Sequence, residues 1–303
     1  MNAMNMSKVV KSFGEHKVLT EINLSVEKGC ILGLVGKNGA GKTTMMQLLL
    51  GLLKPDSGHI EVDGEAVTYG NSKTNRKIGY LPDVPEFYGY MTSAHYLTLC
   101  GEITGMKKQI VKEKIPLLLD RVGLKDDSKK IREFSRGMKQ RLGLAQALLN
   151  DPDILLCDEP TSALDPVGRK DILEILASLR GETTVIFSSH ILSDIEQICD
   201  SVAILHNGKI QLQGAINKLK ESHSSYKYIL QFNNLEEKQL FLNNISTTKF
   251  RLEENATSLI FSGNSFEQMS QVFLQKLVEL SIAPKVIQQI EPSLEELFME
   301  VTQ

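Results

Sequence analysis

The sequence contains no tryptophan and only four cysteines, and it has no long apolar run. The cysteines lie far apart, so no pair has the spacing of a zinc site or a redox motif. We expect them to be reduced thiols in a cytosolic chain. No apolar run approaches the roughly 18 residues that a membrane-spanning helix needs. Residues 1–11 also lack the apolar segment of a secretory signal. We therefore expect that any contact with a membrane is made from outside the bilayer.

Net charge is nearly absent as well, with 34 Lys and Arg residues against 37 Asp and Glu residues and a formal charge of −3. Proteins that bind nucleic acid concentrate positive charge, so we expect no nucleic acid among the partners. The 42% of hydrophobic and 23% of charged residues are typical of a globular chain and exclude a largely disordered or fibrous protein. At about 150 residues per domain, a chain of 303 residues is expected to have two domains.

The first two-thirds of the chain alternate short apolar runs with helical patterns, which is typical of a mostly parallel α/β sheet. Buried strands are predicted at residues 30–35, 154–157 and 184–188. Residues 86–150 are predicted to form a mainly helical subdomain. We therefore expect a first domain over residues 1–214.

The pattern changes after residue 214, and residues 215–303 are predicted to form a small accessory α/β domain. Strands and helices alternate there in the order β-α-β-β-α-β, followed by a last helix from Ser293, and this is the ferredoxin-like order. The predicted strands are residues 226–232, 250–253, 258–262 and 285–290.

A glycine-rich motif follows the first predicted strand and reads Gly36-Lys37-Asn38-Gly39-Ala40-Gly41-Lys42-Thr43. Its glycines let successive backbone N–H groups face a phosphate, and the N-terminus of the following helix adds partial positive charge. Lys42 is predicted to reach the β- and γ-phosphates, and the Thr43 hydroxyl is predicted to bind Mg²⁺. The predicted nucleotide-binding residues of this segment are Gly36, Asn38, Gly39, Ala40, Gly41, Lys42, Thr43 and Thr44.

Two acidic residues, Asp158 and Glu159, directly follow the apolar strand predicted at residues 154–157. Asp158 is predicted to hold the Mg²⁺ shell, and Glu159 to polarise a water molecule. Acidic residues often end strands for structural reasons, so this feature alone leaves both interpretations open. Together with the phosphate loop, it favours the catalytic interpretation.

Three further motifs give the chain a specific resemblance. They are Phe134-Ser135-Arg136-Gly137-Met138-Lys139-Gln140-Arg141, Asp158-Glu159-Pro160-Thr161-Ser162-Ala163-Leu164-Asp165-Pro166 and Ser188-Ser189-His190. In this order and spacing, residues 9–214 resemble the ATP-binding cassette (ABC) ATPases. The resemblance implies an α/β P-loop NTPase core, whose mostly parallel sheet is joined by antiparallel β and helical subdomains. It also implies hydrolysis of ATP with Mg²⁺.

The resemblance implies roles for single residues within one copy of the chain. Phe13 would stack on the adenine ring. Glu159 would act as the general base, with Lys42 and His190 as the other catalytic residues, and His190 would contact the γ-phosphate.

The resemblance further implies a homodimer that closes on ATP. Two copies would meet head to tail and enclose two MgATP, so that Ser135 and Gly137 of one copy face the nucleotide held by the other. Asp165 would lie in the family's D-loop and belong to the nucleotide-binding residues.

Residues 137–142 and 292–298 resemble the bacterial drug and bacteriocin exporters, in which the ATPase is a separate subunit. This implies a peripheral protein at the cytoplasmic face of the membrane, serving an integral membrane permease. Import ATPases share the same catalytic residues and stay an alternative. A soluble ABC protein acting on ribosomes or DNA usually has two cassettes or a coiled-coil insert, and neither is visible. The aromatic loop at residues 87–90 is either a packed turn or a contact for the permease.

Two positions depart from the family pattern. Arg136 replaces the first of two adjacent glycines, so its side chain must point away from the nucleotide or pair with a phosphate or a carboxylate. Asp83 follows Leu81-Pro82, where the family has glutamine. Asp83 is predicted to face Mg²⁺ through water. The alternative, in which Asp83 only caps the turn into Pro85, stays open.

Overall fold

The computed structural model describes residues 2–70, 73–223, 226–245, 251–263, 266–290 and 293–302. Apart from Thr302, which groups with the first, these residues divide into a unit that ends at Ile216 and a unit that begins at Asn217. The domain boundary that the sequence predicts after residue 214 lies close to this division and stays a prediction.

The first unit contains ten strands and six helices of the described chain. The strands are β1 (Asn2–Phe13), β2 (His16–Glu27), β3 (Ile31–Val35), β4 (Ser57–Val62), β5 (Glu65–Ala66), β6 (Ile78–Leu81), β7 (Ile154–Asp158), β8 (Thr184–Ser189), β9 (Ser201–His206) and β10 (Lys209–Ala215). The helices are α1 (Lys42–Leu49), α2 (Ser93–Ile103), α3 (Lys108–Arg121), α4 (Arg136–Leu148), α5 (Pro166–Ser178) and α6 (Leu192–Ile198).

The central sheet has the strand order β10-β9-β3-β8-β7-β6. Its strands run parallel except β10, which pairs antiparallel at one edge. Strands β3, β7 and β8 are buried along their whole length, as expected for strands covered on both faces. Because β3, β7 and β8 are parallel, the residues that follow Val35, Asp158 and Ser189 all lie at the carboxyl end of the sheet. The predicted mostly parallel α/β core is confirmed.

A second, antiparallel sheet has the order β2-β1-β4-β5. Its buried residues Met4 and Met6 share one hydrophobic core with Met45, Met46 and Leu48 of α1. This core attaches the antiparallel sheet to the helix that follows the phosphate loop. The antiparallel β subdomain that the resemblance implies is therefore present.

The chain between β6 and β7 is mainly helical. Helix α2 is capped by Thr92, whose hydroxyl accepts from the His95 N–H at 3.3 Å. The helical pattern then breaks at Gly105, whose φ of +78° suits a residue without a side chain. Helix α3 follows, and α4 brings the chain back to β7. This helical part lies inside the insert predicted at residues 86–150.

The second unit contains helices α7 (Ile216–His223), α8 (Leu235–Asn244), α9 (Phe266–Glu279) and α10 (Leu294–Thr302), and strands β11 (Tyr226–Gln231), β12 (Arg251–Glu254), β13 (Ser258–Gly263) and β14 (Val286–Ile290). Its antiparallel sheet has the order β12-β13-β11-β14, which is the ferredoxin-like arrangement. A separate core includes Leu230, Phe241, Phe261 and Phe273. Residue 250, where the second strand is predicted to begin, and residue 292 lie outside the described residues.

Candidate active site

The phosphate loop joins the end of β3 to the start of α1, and its glycines are required by the backbone. Gly39 and Gly41 have φ angles of +82° and +108°, which side chains disfavour. A Cβ atom at Gly36 would lie 2.6 Å from the carbonyl oxygen of Leu205, too close for any side chain. The loop therefore curls tightly over the sheet edge and starts α1 at Lys42.

The ammonium group of Lys42 is buried inside this loop. Its Nζ donates to the carbonyl oxygen of Gly36 at 2.6 Å and to that of Lys37 at 3.4 Å. Only 6% of the Lys42 side chain is exposed. A buried ammonium needs such acceptors and a nearby negative charge, because its removal from water is costly.

The carboxylate of Asp158 joins the phosphate loop to two strands. The Thr43 hydroxyl donates to its Oδ2 at 2.7 Å, and the Ser188 hydroxyl donates to its Oδ1 at 2.7 Å. The Ser188 hydroxyl also accepts from the backbone N–H of Glu159 at 2.9 Å. Asp158 is buried, and both of its oxygens have a hydrogen-bond donor.

Glu159 lies between the other two predicted catalytic residues. Its Oε1 is 3.0 Å from Lys42 Nζ, an ion pair whose angle gives no hydrogen bond. Its Oε2 is 2.8 Å from His190 Nδ1. Its backbone is left-handed, with a φ of +47°, which is uncommon for a residue with a side chain. The structure thus brings Lys42, Glu159 and His190 together beside the Thr43–Asp158 pair.

The donor set suits Mg²⁺, which prefers hard oxygen ligands and keeps several of its own waters. Thr43 Oγ1, at the end of the phosphate loop, and Asp158 Oδ2 are two such oxygens, and they lie 2.7 Å apart. Within the described ranges, no group of three or more His, Cys, Asp or Glu side chains is arranged to hold a metal by itself. A hydroxyl and a carboxylate fit an ion whose remaining ligands are phosphate and water oxygens.

The third predicted metal-facing residue, Asp83, has different neighbours. Its carboxylate accepts from the Ser162 hydroxyl and lies 3.6 Å from Arg136 Nη2. Its carbonyl oxygen accepts from Gln140 Nε2 at 3.0 Å, and Gln140 also donates to the carbonyl of Pro160 at 3.2 Å. The role of Asp83 towards Mg²⁺ stays a prediction.

The remaining predicted residues are exposed or half-buried, and their contacts are local. Ser135 caps α4 by accepting from the Met138 N–H at 3.2 Å, and Asp165 caps α5 in the same way. Gly137 has open space where a side chain would be. Phe13 is 49% exposed, and the Lys11 ammonium lies over its ring at 5.3 Å from the centroid. Asn38, Gly39, Ala40 and Thr44 lie in or directly after the phosphate loop.

Comparison with known proteins decides the family. Residues 19–162 match the ABC transporter family. The chain is 42% identical over 228 residues to YxlF, an uncharacterized ABC transporter ATP-binding protein of Bacillus subtilis, and this covers 75% of the chain and 76% of the relative. The chain belongs to the ABC transporter ATP-binding proteins. It is also 42% identical over 221 residues to the bacitracin transport ATP-binding protein BcrA of Bacillus licheniformis, covering 72% of the chain and 71% of BcrA.

Solved ABC structures share the fold. A dimeric ATP-binding cassette in a post-hydrolysis state, bound to ADP and Pi, superposes with a TM-score of 0.63 at 23% identity and covers 70% of this chain and 98% of that one. As a member of the ABC ATP-binding proteins, the chain is an ATPase. In the part of the chain that the structure describes, no helix combines the length and apolar character needed to span a membrane.

Two strand residues of this ABC ATPase that lie near Asp158, namely Cys157 and Tyr80, have raised pKa values. Burial, with the nearby Asp158, raises the pKa of the Cys157 thiol well above its ordinary value. Burial, with the charges of Asp158 and Asp83, raises the pKa of Tyr80 to about 12. Neither group supplies a nucleophile or a base near neutral pH.

Asp194 is a site residue that the sequence motifs miss. It is only 1% exposed, and its Oδ2 accepts from the Thr161 hydroxyl at 2.8 Å. Its Oδ1 accepts from Arg169 Nε at 2.6 Å. These bonds join α6, which follows His190, to the loop after Glu159 and to α5. We infer that Asp194 positions the two loops that carry Glu159 and His190.

From the sequence alone, nothing distinguishes Asp194 from any acidic residue in the first turn of a short helix. What marks it is the pairing with Arg169 and Thr161, which lie 25 and 33 residues away. An acid placed four residues after a strand-end histidine is a weak signal, and only packing shows that it is buried.

Replacement of this acid should lower stability and turnover together. Asp194→Asn replaces the buried carboxylate that pairs with Arg169 by a neutral amide with one oxygen acceptor fewer. We therefore expect the free energy of unfolding to fall by about 2 kcal/mol. ATP hydrolysis should fall with it, because the Glu159 loop loses its support. Urea unfolding and steady-state ATPase rates measure both.

The matched control is Asp171→Asn, which removes a more exposed partner of Arg141 from the neighbouring α5. A half-exposed pair separated by 3.6 Å contributes about 0–1 kcal/mol, so this variant should behave nearly as the wild type. Equal effects of the two substitutions would refute a special role for Asp194.

Proposed function

We propose that this ABC ATPase powers export of a drug, peptide or lipid-like substrate through a separate integral membrane permease, from the cytoplasmic face of the membrane. The observation that most strongly supports ATP hydrolysis at this site is the position of Glu159, between Lys42 and His190 and next to the Thr43–Asp158 pair. The similarity to BcrA, named as a bacitracin transport protein, supports a role in transport. The direction of export rests on the resemblance of residues 137–142 and 292–298 to the bacterial drug and bacteriocin exporters.

Each catalytic residue has a role that follows from its contacts. Lys42 lies within the curl of the phosphate loop, where its charge would neutralise the β- and γ-phosphates. Glu159 accepts from His190 and directly follows the buried strand β7, so its carboxylate would orient and deprotonate the attacking water. His190 is exposed and would contact the γ-phosphate. Phosphoryl transfer depends mostly on such placement and charge stabilisation.

Mg²⁺ would be held by Thr43 directly and by Asp158, with Asp83 as the further predicted group, and it would neutralise charge on the phosphates. Asp158 orients the Thr43 hydroxyl, since it accepts the hydrogen of that group. Ser188 in turn fixes the other carboxylate oxygen. Phe13, with its exposed ring, would stack on the adenine.

We propose that the complete site forms between two copies. Ser135 and Gly137 lie at the start of α4 and are accessible, so they would reach the phosphates held by the second copy in a head-to-tail homodimer. Asp165 caps α5 at the end of the Glu159 loop and would lie at the same interface. A site completed only on closure couples hydrolysis to movement of the two copies.

The helical insert carries the surface proposed for the permease. A cavity of about 430 Å³ is lined by Val84, Glu86, Phe87, Arg132 and Lys139, among others. The neighbouring rings of Tyr88 and Tyr90 are 55% and 66% exposed. Phe87 packs edge-on against Tyr96, with 5.1 Å between ring centroids, so the loop is partly a packed turn. Its exposed aromatic side chains and the adjacent cavity suit a short helix of the permease.

Neutralising the proposed base should separate ATP binding from hydrolysis. Glu159→Gln keeps the size of the side chain but removes the base, and positioned proton transfer contributes about 10²–10⁴-fold to rate. We expect turnover to fall by about this factor, while ATP binding persists and a nucleotide-bound dimer accumulates. Phosphate release and size-exclusion chromatography with ATP measure these effects.

Glu174→Gln, an exposed residue of α5, is the matched control and should leave both readouts unchanged. Near wild-type hydrolysis by Glu159→Gln would remove Glu159 from the role of base.

A membrane partner should be recovered with the chain itself. When the tagged chain is purified from detergent-solubilised membranes, we expect a polytopic membrane protein to accompany it. Tyr90→Ser should reduce this recovery by about tenfold, since exposed aromatic side chains are the usual anchors of an interface. Tyr69→Ser, which alters another exposed tyrosine, is the control. Recovery with ribosomes or DNA instead would support the soluble, non-transport alternative.

A further inference from the structure

The loop after β6 and the start of α4 are joined by a charged cluster. The carboxylate of Asp83 accepts from the Ser162 hydroxyl and lies 3.6 Å from Arg136 Nη2. Arg136 Nη2 also lies 3.5 Å from Ser162 Oγ. Three chain segments therefore meet through these three side chains. The two residues that depart from the pattern of the resembling family, Asp83 and Arg136, are partners of each other.

The position of Arg136 explains why it takes a carboxylate partner. It is the first residue of α4, where the helix dipole already places partial positive charge. The first turn of α4 contains no acidic residue, and Lys139 adds a further positive charge. Asp83, from a different loop, supplies the negative charge that the helix start lacks.

The ion pair between Arg136 and Asp83 is nevertheless weak, so another anion can take the place of Asp83. The side chains of Arg136 and Asp83 are 47% and 48% exposed, and the contact distance of 3.6 Å is long for a charge-assisted hydrogen bond. Exposed pairs of this kind contribute little to stability and are screened by salt. A group with more negative charge would therefore displace the carboxylate.

We propose that Asp83 holds Arg136 within one copy until ATP closes the dimer, when Arg136 leaves Asp83 and binds the phosphates of the nucleotide held by the second copy. This rests on the proposed function, because Arg136 lies between Ser135 and Gly137, which that function assigns to the second copy's nucleotide. A guanidinium matches phosphate oxygens with paired donors, and a triphosphate carries several charges against the single one of Asp83. Asp83 and the phosphates thus compete for one group.

Competition predicts effects of opposite sign for the two partners. The test uses the full chain with Glu159→Gln, at saturating Mg²⁺, and measures the ATP concentration at which half of the protein is dimeric by analytical ultracentrifugation. Asp83→Asn removes the competitor, so this concentration should fall by up to about fivefold, the usual worth of an exposed pair. Arg136→Gln removes a charged phosphate contact, so it should rise by about tenfold or more.

Three further variants make the result specific. The double variant should behave like Arg136→Gln, because freeing Arg136 has no effect once the guanidinium is gone. Arg121→Gln, which removes a half-exposed arginine paired with Glu182 at 3.0 Å, is the matched control and should leave the concentration unchanged. Arg136→Lys, which keeps the charge but loses the paired donors, should fall between wild type and Arg136→Gln.

The opposing outcomes are distinct. Shifts of the same sign for Asp83→Asn and Arg136→Gln would show that the pair is a fixed brace and would overturn the exchange. No shift for either would overturn it as well, while leaving the proposed function intact. If the Glu159→Gln parent itself fails to dimerise with ATP, the proposed dimer is wrong and the exchange falls with it.

Discussion

The buried carboxylate of Asp158 is the interaction on which the rest of the site depends. It receives one hydrogen bond from Thr43, at the start of α1, and one from Ser188, at the end of β8. The Ser188 hydroxyl in turn binds the backbone of Glu159, which sets where the proposed base leaves β7. Because the parallel strands end at one edge of the sheet, a single side chain can join three loops that are far apart in the sequence.

The same loops are held in uncommon backbone conformations, and buried polar contacts maintain them. Glu159 and Ala163 both have positive φ angles, which side-chain-bearing residues adopt only when the surrounding structure enforces them. Thr161, between them, is tied to the buried Asp194 of α6. A loop supported in this way presents the Glu159 carboxylate in a fixed direction, as a positioned base requires.

The sequence could predict those parts of the site that are local or that rest on chain order. The phosphate loop is a motif of adjacent residues, and Asp158 and Glu159 follow an apolar strand. The two features are expected to lie together because the strands of the sheet are parallel. Contacts between side chains of separate loops could not be predicted in the same way. The Arg136–Asp83 pair is one of them, because it depends on how α4 packs beside β6 and no local pattern specifies that packing. Arg136 is expected to point away from the nucleotide or to pair with a phosphate or a carboxylate, and in the single chain its partner is the carboxylate of Asp83.

The claim that each active site is shared between two copies is tested most directly by mixing two inactive variants. Lys42→Ala removes the phosphate-loop charge, and Ser135→Phe blocks the residue that faces the second copy's nucleotide. In a mixed dimer both changes fall in one site and leave the other intact. The account predicts that neither variant hydrolyses ATP alone and that the mixture recovers activity. Wild-type hydrolysis by Ser135→Phe alone would contradict it, because the site would then be complete within one chain.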